Sequence, residues 1–260
     1  MAPQRASRQF DVIIVGAGPA GLFAAYYLGK HTDLNVMVIE KGKPPLKREC
    51  PVNASWECVK CRPCNILCGV GGAGLFSDGK LNFIHKLGKT DLTQFMPKSK
   101  AKELISETEA IFNQFGMDGR VYPTDMDAAR EIRKNAKRHG VDLLIIRQKH
   151  LGSDNLPGHI AQMSEAVREL GVTVHTPEEV REVRVDGGRV TGVATNRSQY
   201  EADNVILAPG RVGAEWVGRI AQDHKLPLSQ RGIEVGVRVE VHKEIMQDIC
   251  HIIYDRTFFI

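Results

Sequence analysis

Hydrophobic and polar positions along the chain fall into runs whose period predicts alternating strands and helices. Phe10–Val15 is almost continuously apolar and predicts a buried strand, while Leu22–Leu28 carries the spacing of a helix; only Gly16-Ala17-Gly18-Pro19-Ala20-Gly21 separates them. Asn35–Ile39 predicts a second strand, ending at Glu40. A long loop then runs to about Asn82, followed by helical patterns at Ser99–Phe115 and Met126–His139 and a strand at Val141–Ile146. Leu156–Leu170 reads as a helix and Val172–His175 as a strand. Val180–Val185 and Arg189–Ala194 flank Asp186-Gly187-Gly188, a hairpin signal. Asp203–Gly210 is another apolar strand, ending in Ala208-Pro209-Gly210 before a helix near Gly213–His224, and Gly236–Val241 alternates like a strand.

The chemistry of the first turn follows from its spacing. Gly16 permits a tight turn, Gly18 a close backbone approach and Gly21 close packing of helix on strand. Pro19 falls at the first helical position, where its missing N–H costs nothing, so the neighbouring amides can point at an anion such as a diphosphate. Glu40, ending the second strand, stands where an acid accepts hydrogen bonds from a ribose diol and repels a 2′-phosphate. A nucleotide-binding βαβ unit is therefore expected. A ligand-free glycine turn is the bland alternative.

At 260 residues and 42% hydrophobic, the chain can bury one large domain, or one domain and part of another. A net charge of +4 with interspersed signs argues against a nucleic-acid partner, and Lys41–Arg48 reads as a solvated loop. No apolar run is long enough to span a bilayer and Met1–Gln9 has no apolar signal core, so no membrane association and a cytoplasmic location are expected.

Val15-Gly-Ala-Gly-Pro-Ala-Gly-Leu22 with Glu40-Lys41-Gly42 resembles the glutathione-reductase-like FAD-dependent oxidoreductases, which favours FAD over NAD. Gly71-Gly-Ala-Gly-Leu-Phe-Ser-Asp-Gly-Lys-Leu81, together with Leu207–Trp216, is similar to a microbial family of FAD-dependent dehydrogenases of that two-dinucleotide-binding fold. The resemblance implies an α/β fold: a Rossmann-like FAD/NAD(P)-binding domain with an inserted, incomplete substrate domain. The cofactor domain would comprise residues 8–82 and 141–226, with a helical insertion at 83–140 and the start of a truncated substrate domain at 227–260. It also implies cofactor contacts from Gly16 to Gly21, Glu40, Lys41, Arg48, Gly72, Gly74, Ser77, Asp78, Lys80, Ala208, Gly210 and Arg211, with the backbone of Val180 meeting the adenine. Ser77–Lys80 could equally be a structural turn, and the strand before Gly210 an ordinary core strand.

Five cysteines cluster at Cys50, Cys58, Cys61, Cys64 and Cys68. The last four have the spacing that wraps an iron–sulfur cluster; the first four could form a tetrahedral zinc site. Both need thiolates, which Lys47, Arg48, Lys60 and Arg62 would favour. A redox pair at Cys64 and Cys68, or simply free thiols, are the other readings.

No Gly-Asp dipeptide of the kind that holds the ribityl or phosphate part in such enzymes occurs, and Thr257–Ile260 is an apolar tail with no terminal helix expected. The sequence therefore reads as a truncated version of a longer enzyme that binds FAD weakly by itself. Hydride chemistry would belong to the flavin, and the sequence singles out no catalytic residue. The expected activity is FAD-dependent oxidation of a small molecule, with NAD(P)H or a protein as electron donor. A non-catalytic nucleotide-binding fragment and an NAD-binding synthase of the same fold are the alternatives.

Overall fold

The computed structural model describes residues 9–52, 56–152, 154–229, 235, 237 and 239–259. It divides into two compact units, one drawn from Met1–Ser77 with Ser153–Gln230, the other from Asp78–Gly152 with Arg231–Ile260.

The first unit is built on a six-stranded mixed sheet. Its centre is parallel: the first strand (Gln9–Val15) lies between the second (Val36–Ile39) and a returning strand (Gln199–Leu207), with Ile13 opposite Met37 on one side and Val205 on the other. Thr173–His175 extends the parallel part beyond the second strand. A parallel sheet is covered on both faces, so its strands read as apolar runs rather than alternations. Accordingly Ile13, Ile14, Met37 and Val38 are all fully buried. On one face Phe10, Ile13, Val15, Met37 and Ile39 join Val180, Val193, Tyr200 and Ala202 in one cluster, with Trp216 packed against it. The first helix (Pro19–His31) packs against the helix Leu156–Glu169, and Gly29 lets Leu170 and Val172 approach.

The hairpin pairs Val180–Asp186 with Arg189–Thr195, and both turn glycines have positive φ, Gly187 at 53° and Gly188 at 78°, as a two-residue turn of matching twist requires. The returning strand begins earlier than its apolar run. Gln199–Glu201 pairs antiparallel with the hairpin, and Glu201–Leu207 then runs parallel to the first strand.

In the second unit the short strands Lys80–Asn82, Gln148–His150 and Val121–Tyr122 form an antiparallel sheet with Gln148–His150 in the middle. The helix Lys98–Gln114 and the helix Met126–Arg138, capped by Asp125, match the two helical patterns. The Val141–Ile146 run supplies a strand at Asp142–Leu144, paired antiparallel with Thr257–Phe259, and Leu143 meets Ala129 and Ile253 in a small core. A helix at Lys243–Cys250, which the sequence reading did not single out, carries its apolar residues Ile245, Met246 and Ile249 at helical spacing. The alternating segment Gly236–Val241 falls partly outside the described residues. Among the described residues, no helix is long and apolar enough to cross a membrane.

Candidate functional site

The first turn is built from positions that exclude side chains. Gly16 has φ +104° and donates its amide to Ile39 O at 2.8 Å; a Cβ there would lie 2.4 Å from Ala208 O. A Cβ at Gly21 would stand 1.9 Å from Gly16 O, so helix and strand meet there backbone to backbone. Gly18 caps the helix with no side-chain hydrogen bond, and the first intrahelical bond runs from Leu22 N to Gly18 O. The helix itself thus makes no use of the amides of Gly18, Ala20 and Gly21, and they carry the positive end of its dipole.

Glu40 lies at the carboxyl end of the second strand, only 7% exposed. Its Oε2 accepts from Ala17 N at 2.9 Å, and its Oε1 accepts from Gly42 N and Gly69 N, both at 2.8 Å. One carboxylate therefore ties together the glycine turn, the end of the second strand and a loop thirty residues on. Three of roughly four acceptor positions are filled, leaving one for a hydroxyl.

That loop lies against the turn. Gly71 N donates to Ala17 O at 2.8 Å, and a Cβ on Gly72, at φ +62°, would come within 3.2 Å of Gly18 Cα. Its shape is held by Arg48, which is buried and donates to four main-chain carbonyls: Nε to Asn65 O, Nη1 to Val70 O and Gly72 O, and Nη2 to Ile66 O. Burial lowers the Arg48 pKa against the opposing charge of Glu40. Lys41 is half-buried, with its charge beside Cys68. A Cβ on Gly74 would meet nothing within 4 Å, and Ser77 Oγ closes the turn by donating to Gly74 O.

Ala208 N donates to Val15 O, which brings the returning strand to the turn; Gly210, at φ +63°, and Arg211 follow on the surface. Val180 is buried where the hairpin begins. Just before it, Glu178 N donates to Glu40 O, and the buried Glu178 carboxylate accepts from Thr195 Oγ1 and meets His175 Nδ1 at 3.2 Å. Tyr200 Oη also reaches Glu178. No spacing rule would have picked out this network or the Arg48 clamp.

Asp78 and Lys80 belong to the second unit, where Asp78 Oδ2 lies 3.3 Å from His150 Nε2 and Lys80 pairs with Asp255. Burial pushes the Asp78 carboxyl up, but the hydrogen bond and charge of His150, with Lys80, outweigh it and hold it below its ordinary value.

The structure lends the metal expectation no support: Cys50, Cys58, Cys61, Cys64 and Cys68 form no disulfide, and among the described residues no three His, Cys, Asp or Glu side chains converge on a metal position. Nor do basic neighbours favour a thiolate at Cys68: burial raises its pKa, outweighing the pull of Lys41.

The residues of the glycine turn fit the diphosphate of a dinucleotide. They present unused helix-start amides and bare Cα positions, with a carboxylate set back by one strand end for a sugar hydroxyl.

Comparison with known proteins adds the family. The Thi4 family model matches residues 5–44, and the model described as flavin containing amine oxidoreductase matches residues 83–215. An uncharacterized protein of Clostridium beijerinckii is 24% identical over 235 residues, covering 90% of this chain and 37% of that protein. Sarcosine oxidase subunit beta of Rhodobacter capsulatus is 61% identical over 36 residues, 14% of this chain and 9% of that protein. Glycine oxidase from Geobacillus kaustophilus superposes with a TM-score of 0.48 at 18% identity, covering 83% of this chain and 59% of that one. The chain spans less than two thirds of the length of each of these relatives. With more than half of its residues matched by one family model, the chain belongs to the flavin containing amine oxidoreductases.

Proposed function

We propose that the chain is the FAD-binding part of an oxidoreductase that oxidises a small molecule at a carbon–nitrogen bond. Its first unit is the cofactor domain. The observation that carries the reading is the glycine turn, where the free amides of Gly18, Ala20 and Gly21 and the buried Glu40 carboxylate stand side by side; the family match supplies the cofactor and the reaction class.

FAD, when bound, supplies the acceptor for the two electrons removed from the substrate. The chain's own residues bind and orient it. The helix-start amides hold the diphosphate, the remaining acceptor position of Glu40 takes a ribose hydroxyl, and Gly72 and Gly74 let main chain approach without a side chain between. The main chain at Val180, fixed through Glu178 and the end of the second strand, meets the adenine. Ala208 and Gly210 bring the returning strand past the same site. Arg48 acts at one remove, shaping the loop over the turn rather than contacting phosphate.

The test is a titration of the purified chain with FAD and separately with NAD, followed by anaerobic reduction with a panel of amines and amino acids. Saturable FAD binding and bleaching of the flavin by an amine support the proposal. Binding of NAD in preference to FAD would move the chain to synthase chemistry, and FAD binding with no reduction by any amine would leave a binding module.

A further inference from the structure

The second unit carries a sheet face whose composition does not suit a core. In the antiparallel sheet, Lys80 stands opposite His150, and Asn82 and Tyr122 both stand opposite Gln148. Alternation puts Leu81, Lys149 and Val121 on one face and Lys80, Asn82, Gln148, His150 and Tyr122 on the other. The first face packs against the helix Lys98–Gln114, and its buried Lys149 is satisfied by Asn113 Oδ1 at 2.6 Å and Glu109 Oε1 at 3.1 Å.

The second face is entirely polar or aromatic, yet its centre is buried. Gln148 is 3% exposed; its Nε2 donates to Asn82 Oδ1 at 2.8 Å, while its Oε1 has no partner among the described residues. A buried acceptor without a donor calls for an explanation, and a ligand that supplies an N–H is one. The face is covered by two consecutive side chains. The ring of Tyr254 lies 4.0 Å from that of His150 and 5.2 Å from that of Tyr122, the residues flanking Gln148, and Asp255 pairs with Lys80. Tyr254 is itself 43% exposed, whereas Ile253 before it is buried and Thr257–Phe259 after it is paired in a strand. The two side chains can therefore swing away while the backbone on either side stays anchored.

We propose that this face binds an aromatic α-amino acid, and that Tyr254 and Asp255 occupy the places of its ring and its carboxylate. The ligand's ring lies against His150 and Tyr122, its carboxylate on Lys80, and its amino group donates to Gln148 Oε1. Asp78 holds the His150 ring from the other side. The inference goes beyond the proposed function and rests on it only in taking an amine as the small molecule that the chain recognises.

Isothermal titration of the full chain with L-phenylalanine, 3-phenylpropanoate and 2-phenylethylamine tests it without turnover. L-Phenylalanine binds, and each analogue, lacking one polar group, binds roughly tenfold more weakly. Tyr254→Gly tightens phenylalanine binding roughly fivefold, since the ligand no longer displaces a stacked ring. Gln148→Leu abolishes the preference for phenylalanine over 3-phenylpropanoate, and Lys80→Met abolishes the preference over 2-phenylethylamine. Absence of phenylalanine binding in both the parent and Tyr254→Gly, or analogue preferences unchanged in Gln148→Leu and Lys80→Met, overturns the proposal. Flavin is measured on the same samples: phenylalanine binding without FAD binding defeats the oxidoreductase reading alone, and FAD binding without phenylalanine binding defeats this one alone.

Discussion

Replacing Glu40 by glutamine keeps the shape of the side chain and removes its charge, which makes it a sharp probe of the glycine turn. The carboxylate accepts from Ala17 N through Oε2 and from Gly42 N and Gly69 N through Oε1. A glutamine can place its carbonyl at only one of these positions. In the better orientation it keeps the two bonds from Gly42 and Gly69 and turns its NH2 against Ala17 N, so one charge-assisted bond is lost and two are weakened. With a bond to a charged group contributing about 1.5–3 kcal/mol and a neutral one about half of that, Glu40→Gln should cost the first unit about 3–6 kcal/mol. Both tryptophans, Trp56 and Trp216, belong to that unit, so urea unfolding followed by tryptophan fluorescence reads its stability apart from the second unit. FAD affinity should fall together with stability, because the carboxylate that orders the loop is the one proposed to take the ribose hydroxyl. A Glu40→Gln chain within about 0.5 kcal/mol of the parent would show that the three bonds do not hold the turn, and the account of the site would fail with them.

Four further outcomes follow from the structure. Gly16→Ala, forced into φ +104° with its Cβ 2.4 Å from Ala208 O, should lose at least about 3 kcal/mol in the fluorescence assay. Gly74→Ala, with nothing within 4 Å of its Cβ, should leave stability within about 0.5 kcal/mol of the parent but weaken FAD binding in a titration. Glu109 is held below its ordinary pKa, first by the hydrogen bond from Arg147 and then, against burial, by Lys149, so its contribution is full above the unfolded value of about 4.3 and lost as pH falls through the lower folded value. Melting temperature should therefore fall less steeply with acid in Glu109→Gln than in the parent, and equal slopes would exclude the ion pair as a contributor. Under limiting iodoacetamide the exposed Cys58 should alkylate well before Cys68, whose thiol is buried and raised in pKa, as peptide mass spectrometry would show; the reverse order would place Cys68 in a different environment.

How far each part could be read from sequence depends on what builds it. The parallel centre of the first unit was legible because strands covered on both faces become apolar runs, as Phe10–Val15 and Val36–Ile39 do. The hairpin was legible because two positive φ angles demanded Gly187 and Gly188. The glycine turn belongs to the same class: where main chain must touch main chain, as Gly21 does Gly16 O, a side chain is forbidden and its absence shows in the sequence. The position of Glu40 could be read in that way, but not its partners, since amides from three separate segments converge on it only after folding.

The second unit is the opposite case. Its strands are two or three residues long, and Lys80–Asn82 pairs with Gln148–His150 across more than sixty residues, so neither period nor proximity announces them. Its notable face is made of side chains that any loop could carry, and its cover comes from Tyr254 and Asp255, a hundred residues further along. A site built from backbone leaves a mark at each position that must be glycine, whereas a site built from side chains leaves none until register has set the faces. For that reason a motif read at Ser77–Lys80 could be recognised as unusual without its strand partners being named. Lys80 faces the same way as His150 and Gln148 because of a strand pairing that only the folded chain supplies.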